Sequence, residues 1–231
     1  MKRAAYLLAG PTASGKSAIA AELAREMGAW ILSADSMNVY RGMDVGTAKP
    51  SAAERAEFHM GGVDVVTPAE EFSSGAWLRA ATEWVEQVPE DTPIVIVGGT
   101  GLYFSALLRG LDRKWIMPPP AYPVIRIDRA VVRARIAARL DEMFMAGLEA
   151  EKARLHSEYP LWSRTAARAI GYREGDTKEK ILTRTYQLAK RQDTWFRHQS
   201  TPIYVEPTVA AVRACWQAHG PWLVQLSKPN G

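Results

Sequence analysis

A chain of 231 residues that is 47% hydrophobic and 23% charged has an ordinary globular composition. This excludes disorder along its length and leaves room for one domain, or one domain with a small appendage. Its single cysteine, Cys215, excludes a disulfide framework and fits a reducing, cytoplasmic setting, and no apolar run approaches the ~20 residues of a membrane span. The net charge of +4 is mild but unevenly spread. Acidic residues are common up to about residue 92, whereas RKWIMPPPAYPVIRIDRAVVRARIAARL and TRTYQLAKRQDTWFRHQ are strongly basic, which points to an anionic partner.

The first apolar run predicts a strand over Ala5 to Leu8, too short for a secretory signal. It leads into Gly10-Pro-Thr-Ala-Ser-Gly-Lys-Ser17 and then a helical pattern over about 16–27. This is G-x-x-x-x-G-K-[ST] in its proper strand-to-helix context. Backbone N–H groups and the helix N-terminus would face an anion, Lys16 adds charge, and the Ser17 hydroxyl can ligate Mg²⁺.

The second strand, Trp30 to Ser33, runs into Asp35 at the carboxyl edge where open α/β sheets place their sites. That carboxylate suits a magnesium ligand, a nucleoside hydroxyl acceptor or a general base, and equally the cap of a turn. The tail that follows, through Tyr40, Thr47 and Lys49, holds more functional residue types than a connecting loop requires. After a helix at about 75–88, the strand Ile94 to Val97 ends in Gly98-Gly99-Thr100-Gly101. A P-loop that hydrolyses nucleotide usually carries an acid at such a strand end, and here there is none. The glycines read as room for another molecule or as a plain turn, and Thr100 offers a hydroxyl to a phosphate oxygen.

Residues 112–123, DRKWIMPPPAYP, form the one compositional seam, because their prolines forbid helix. A strand over Val124 to Ile127 precedes a helix over 129–155, whose stripe is Val132, Ile136, Leu140, Met143 and Gly147. Arg135 and Arg139 lie four apart on an adjoining face, solvated or reaching a diphosphate. Over 178–198, Lys180, Arg184, Gln187, Arg191, Thr194 and His198 recur at helical spacing as a basic stripe. Ile181, Leu188 and Trp195 form an apolar seam, with Lys190 and Arg197 at its margin. A strand over Ile203 to Val205 and a helix over 208–218 complete an α/β pattern, a parallel sheet with helices on both faces.

GPTASGKS, SADSMNVYRGMDVGTAKP, VGGTGLYFSALLRGL, ARAIGYRE and TRTYQLAKRQDTWFR together resemble the tRNA dimethylallyltransferase (tRNA isopentenyltransferase) family over most of residues 5–205. The resemblance implies a P-loop NTPase/kinase-like core over 1–111, a proline-rich connection at 112–123, core completion and basic tRNA-binding helices over 124–207, and a C-terminal helix and tail over 208–231. It implies transfer of a dimethylallyl group from dimethylallyl diphosphate to N6 of the adenosine 3′ of the anticodon, by a cytoplasmic, monomeric enzyme. Gly10, Thr12, Ala13, Ser14, Gly15, Lys16 and Ser17 would then grip the diphosphate, with Mg²⁺ held through Ser17. Asp35 would be the general base, Thr100 a donor near the breaking bond, and Arg139 a neutraliser of developing charge. Ser36, Met37 and Asn38 would border the flipped adenine, and Arg184, Lys190, Arg191 and Arg197 would hold the tRNA.

The chain departs from the family's pattern at three points. Asn38 stands where glutamine is usual, and His59 and Asp64 are one residue further apart. The usual helical insertion collapses to the 112–123 segment, leaving a reduced helical RNA-binding part. A prenyltransferase acting on free adenine nucleotides is the first alternative, because it needs no such insertion. A nucleotide kinase is disfavoured by the GGTG strand end and the lack of an arginine-rich lid. A non-catalytic RNA-binding remnant is disfavoured by intact Lys16, Asp35, Thr100 and Arg139.

Overall fold

The structure, a computed structural model, describes residues 2–109 and 121–225. Residues 112–120 of the expected connection and the end of the C-terminal tail lie outside the described residues. Six strands run parallel: β1 (Lys2–Ala9), β2 (Trp30–Ala34), β3 (Met60–Gly61), β4 (Ile94–Gly98), β5 (Tyr122–Ile125) and β6 (Pro202–Val205), in the order β3-β2-β4-β1-β5-β6. A seventh, β7 (Trp222–Gln225), pairs antiparallel with the first half of β1, an addition to the expected parallel set. The helices are α1 (Lys16–Met27), α2 (Ala52–Glu57), α3 (Ser74–Gln87), α4 (Gly101–Arg109), α5 (Arg129–Met145), α6 (Leu148–Glu158), α7 (Lys178–Arg197) and α8 (Val209–His219).

β4 is buried along its whole length, as a continuous Ile-Val-Ile-Val run in a central parallel strand must be. Strand alternation divides the core in two. Leu8, Ile31, Val95 and Val97 meet α1 and α8 through Ile19, Leu23, Val212 and Trp216. Leu7, Leu32, Ile94 and Ile96 meet the opposite layer through Trp77, Leu78, Phe104 and Phe196. Each such side chain contributes about 1.5–3 kcal/mol by leaving water.

Three expectations shift. β5 begins two residues early, so Pro123 lies inside it. Its missing N–H costs no ladder bond, because toward β1 the strand is paired only at Ala9↔Val124, while Tyr122 and Arg126 donate on the other side to Thr201 and Val205. The helix expected over 129–155 breaks at Gly147, whose φ of +95° starts α6 on a new axis. The last segment belongs to the core, since Trp216 Nε1 donates to the carbonyl of Leu7 at 2.9 Å and β7 pairs with β1.

The loop after β2 is held by its own polar residues. The Lys49 side chain is fully buried between Asp44 at 2.8 Å and Asp64 at 2.7 Å, and its ammonium donates to the Tyr40 carbonyl. Arg55 pairs with Asp64 at 2.7 Å, and His59 stacks on Trp30. Glu151 of α6 accepts the N–H groups of Asp44, Val45 and Gly46 and the hydroxyl of Tyr172. Tyr40 and Lys49 are therefore architectural, and Thr47 lies on the cavity described next.

Candidate active site

β4 stands between β1 and β2, so the phosphate loop and Asp35 are two strands apart rather than on adjacent strands. The glycine turn after β4 draws them together. Gly10 N–H donates to the Gly98 carbonyl and Thr100 N–H to the Ala34 carbonyl, both at 3.3 Å. A Cβ on Gly98 would lie 2.2 Å from Ala34 O, one on Gly99 2.7 Å from Gln192 Nε2, and one on Gly101 2.5 Å from the Trp195 ring. These glycines make room for the protein's own neighbours, where the sequence suggested an incoming molecule.

The loop is shaped to hold an anion. Ala13 and Gly15 have φ of +61° and +89° on either side of Ser14, a conformation that turns successive N–H groups into a concavity. The N-terminus of α1 has no side-chain cap and no acid in its first turn, so its free N–H groups remain available to a phosphate. The hydroxyl of Ser14 is buried without a partner, and that of Ser17 is exposed. Burial draws the pKa of Lys16 down to about 8, although the carboxylate of Asp35 pulls it up and Arg139 adds to the depression. The same desolvation lowers the pKa of Arg139, again opposed by Asp35. Lys16, Asp35 and Arg139 thus form one coupled electrostatic cluster.

Asp35 Oδ1 accepts Met37 N–H at 2.9 Å, the turn-capping role the sequence offered, while the residue lines the cavity described below. Thr100 Oγ1 accepts Ser36 N–H at 3.0 Å and fixes the turn beside it. Opposite stand α5 and α7. Arg135 leans over the loop, 3.5 and 3.4 Å from the Ala13 and Ser14 carbonyls. Gln192 Oε1 accepts Thr12 N–H at 2.8 Å.

These elements enclose a cavity of about 460 Å³, within the usual range for a small-molecule site. Of the expected residues, Thr12, Asp35, Ser36, Met37, Thr100, Arg139, Arg184 and Arg191 line it, and Thr12 joins it to the rest of the loop, Gly10 and Ala13 to Ser17, which is not among the lining residues. Asp35 is the sole carboxylate among the lining residues, against five arginines, 139, 168, 173, 184 and 191. Met37, Ile136, Leu140, Met143, Ile170, Ile181 and Leu188 supply an apolar wall.

Several expectations are corrected here. Asn38 is not on the cavity, because its amide turns inward and donates to Ser33 Oγ at 3.2 Å. The basic stripe of α7 is divided by packing. Arg184 and Arg191 face the cavity, while Lys190 and Arg197 face a second, open groove between α5, α7 and the ends of β5 and β6. Arg184 is paired with buried Asp176 and Arg197 with Asp193. The buried seam is Ile181, Ala189 and Phe196, leaving Leu188 on the cavity and Trp195 against Gly101. The acid-free end of β4 still stands against a kinase. Sequence reasoning missed Arg168, Arg173 and Gln192. The two arginines lie on a 3₁₀ turn (Ala166–Arg168) and a loop, where no helical period marks them.

The family model described as IPP transferase matches residues 38–126 and 117–199, and the isopentenyl transferase model matches residues 3–59. The chain belongs to the IPP transferase family. A relative in this family, the tRNA dimethylallyltransferase of Bdellovibrio bacteriovorus, is 30% identical over 280 residues, covering 85% of this chain and 91% of its own. The alignment is longer than the 231 residues of this chain, so the relative has positions without a counterpart here. The tRNA isopentenylpyrophosphate transferase structure from Bacillus halodurans superposes with a TM-score of 0.76 at 25% identity, covering 90% of this chain and 91% of that one. The tRNA delta(2)-isopentenylpyrophosphate transferase structure from Staphylococcus epidermidis shares the fold, with a TM-score of 0.81 at 22% identity over 94% and 98% of the two chains. Among the described residues of this IPP transferase, no helix is long and apolar enough to cross a membrane.

Proposed function

We propose that this IPP transferase moves a dimethylallyl group from dimethylallyl diphosphate to N6 of the adenosine 3′ of the anticodon in tRNA. The observation that carries the reading is the cavity itself: a single carboxylate, Asp35, stands among five arginines beside an open phosphate cradle. The cradle and Lys16 take the diphosphate. The allylic C–O bond breaks with its electron pair staying on the diphosphate, the N6 lone pair forms the new C–N bond, and the N6 proton passes to Asp35. Preorganised cationic and N–H donors suit this step, because they stabilise charge that appears only as the bond breaks, each donor worth about 2.7–4 kcal/mol. The apolar wall shelters the five-carbon group and the extruded base, which must leave its stack to reach the carboxylate. No acid ends β4, so nothing there prepares a water, and the diphosphate serves as leaving group rather than fuel.

The exposed Ser17 hydroxyl fits a Mg²⁺ ion carried in mainly on diphosphate oxygens, since the described residues hold no cluster of carboxylates, histidines or cysteines for a protein-only site. When bound, the ion would supply further neutralisation of the diphosphate. Arg168 and Arg191, exposed on the cavity lining, and Lys190 on the second groove would meet the RNA backbone.

Labelled dimethylallyl diphosphate incubated with either an anticodon stem-loop or AMP tests the reading. Label on the stem-loop is expected. Label entering AMP alone would replace the tRNA acceptor by a free nucleotide, and label entering neither would remove the transferase reading.

A further inference from the structure

Resting on this reading of the cavity, we propose that Gln192 of α7 is a further catalytic residue, an oriented amide that donates from Nε2 to the leaving diphosphate. Its orientation follows from hydrogen-bond chemistry. Thr12 N–H is a donor, so the atom 2.8 Å from it must be the amide oxygen. With Oε1 fixed on the phosphate loop, Nε2 is turned the other way, toward the turn after β4. There a Cβ on Gly99 would lie 2.7 Å from it, and Thr100 follows directly in the chain.

Nε2 makes no hydrogen bond among the described residues, and Gln192 lines the cavity together with Thr12, Asp35, Thr100 and Arg139. Two N–H donors are therefore held, without an acceptor, between the phosphate loop and the Thr100 turn. An amide clamped at its oxygen costs little further ordering when an anion arrives, and a prepositioned donor is most effective where charge develops. The bare Cα of Gly99 leaves room for the amide as well as for the Gly10 carbonyl, 2.8 Å from where a Cβ would stand.

Two variants separate a donor from a mere tether. Gln192→Met keeps the length and removes both the oxygen acceptor and the Nε2 donor. Gln192→Glu keeps an oxygen acceptor for Thr12 N–H and removes the donor. The readouts are the affinity for inorganic diphosphate by calorimetry, kcat for prenyl transfer to the stem-loop, and KM for the stem-loop, with thermal melting as a check on folding. Both variants are expected to bind diphosphate about tenfold or more weakly, and to lose about 10²-fold in kcat, with KM for the RNA unchanged within about twofold.

If only the Met variant falls, Gln192 is a tether. If only the Glu variant falls, added charge is responsible. Either outcome overturns the proposal, as does wild-type behaviour in both. A wild-type protein that binds diphosphate yet transfers nothing ends the reaction proposed above, and the affinities then still decide the anion contact. A wild-type protein that does not bind diphosphate overturns both.

Discussion

Arg184 on α7 and Asp176 in the preceding turn form an ion pair in which the aspartate side chain is only 1% exposed, and the same carboxylate accepts Gly171 N–H at 3.1 Å. The pair locks the start of α7 to the loop carrying Arg168 and Arg173. Arg184 is thus committed to the fold as well as to the cavity. Arg191, two turns along, is exposed and has no partner among the described residues.

The two arginines should therefore respond differently to removal. Arg184→Ala leaves a buried carboxylate unpaired and is expected to cost about 3 kcal/mol of stability, read by chemical denaturation. Arg191→Ala should leave stability unchanged within about 0.5 kcal/mol. It should weaken stem-loop binding and lower the slope of log affinity against log salt by about one unit. An unmoved slope would make Arg191 a solvated residue.

Asp35→Ala should lower kcat by about 10²–10⁴. Diphosphate affinity, measured with inorganic diphosphate, should stay within a few-fold, because losing the Asp35 charge weakens the hold of Lys16 on its proton but also removes a repulsion of the anion. Unaltered turnover removes Asp35 from the mechanism.

Lys16 makes diphosphate binding depend on pH. Its pKa in the free protein is about 8, and a bound anion raises it. Above pH 8, binding should take up a proton, and affinity should fall as pH rises toward the ordinary lysine range. Calorimetry in buffers of different ionisation enthalpy reads that proton, and Lys16→Met should abolish the part due to Lys16. The free protein carries the opposite sign. Between about 8 and ~10.4 the unfolded chain holds the Lys16 proton more tightly, so this residue makes stability rise with pH across that window.

Gly99→Ala should be poorly tolerated, since the added methyl would lie 2.7 Å from Gln192 Nε2 and 2.8 Å from Gly10 O. A loss of about 1–3 kcal/mol is expected, with weaker diphosphate binding, whereas Gly28→Ala, with nothing within 4 Å, should reveal only the backbone cost of its φ of +62°. Equal losses at the two sites would show that Gly99 is not packed as described.

Local chemistry made much of the protein legible in advance. A strand, a glycine-bounded loop with Lys16 and Ser17, and an amphipathic helix are short-range patterns, so the phosphate cradle and the bounds of α1 could be read directly. The apolar run of β4 and the absent acid at its end are equally local, and they set the chemistry apart from hydrolysis. The family's ordered motifs in GPTASGKS, SADSMNVYRG and AKRQDTWFR carried the rest of the functional reading.

Tertiary structure alone decided which face of each element met which neighbour. The order of strands put β4 between the loop and Asp35, and Gly147 broke a helix whose apolar period ran straight through it. The turn of α7 against α5 sent Arg191 to the cavity and Lys190 to the groove, although the two adjoin in sequence. Asn38 turned inward, while Arg168, Arg173 and Gln192 converged from 3₁₀ turn, loop and helix. Periodicity reports which side of an element avoids water, but contacts across 100 or more residues depend on how layers pack, and no short stretch of chain records that.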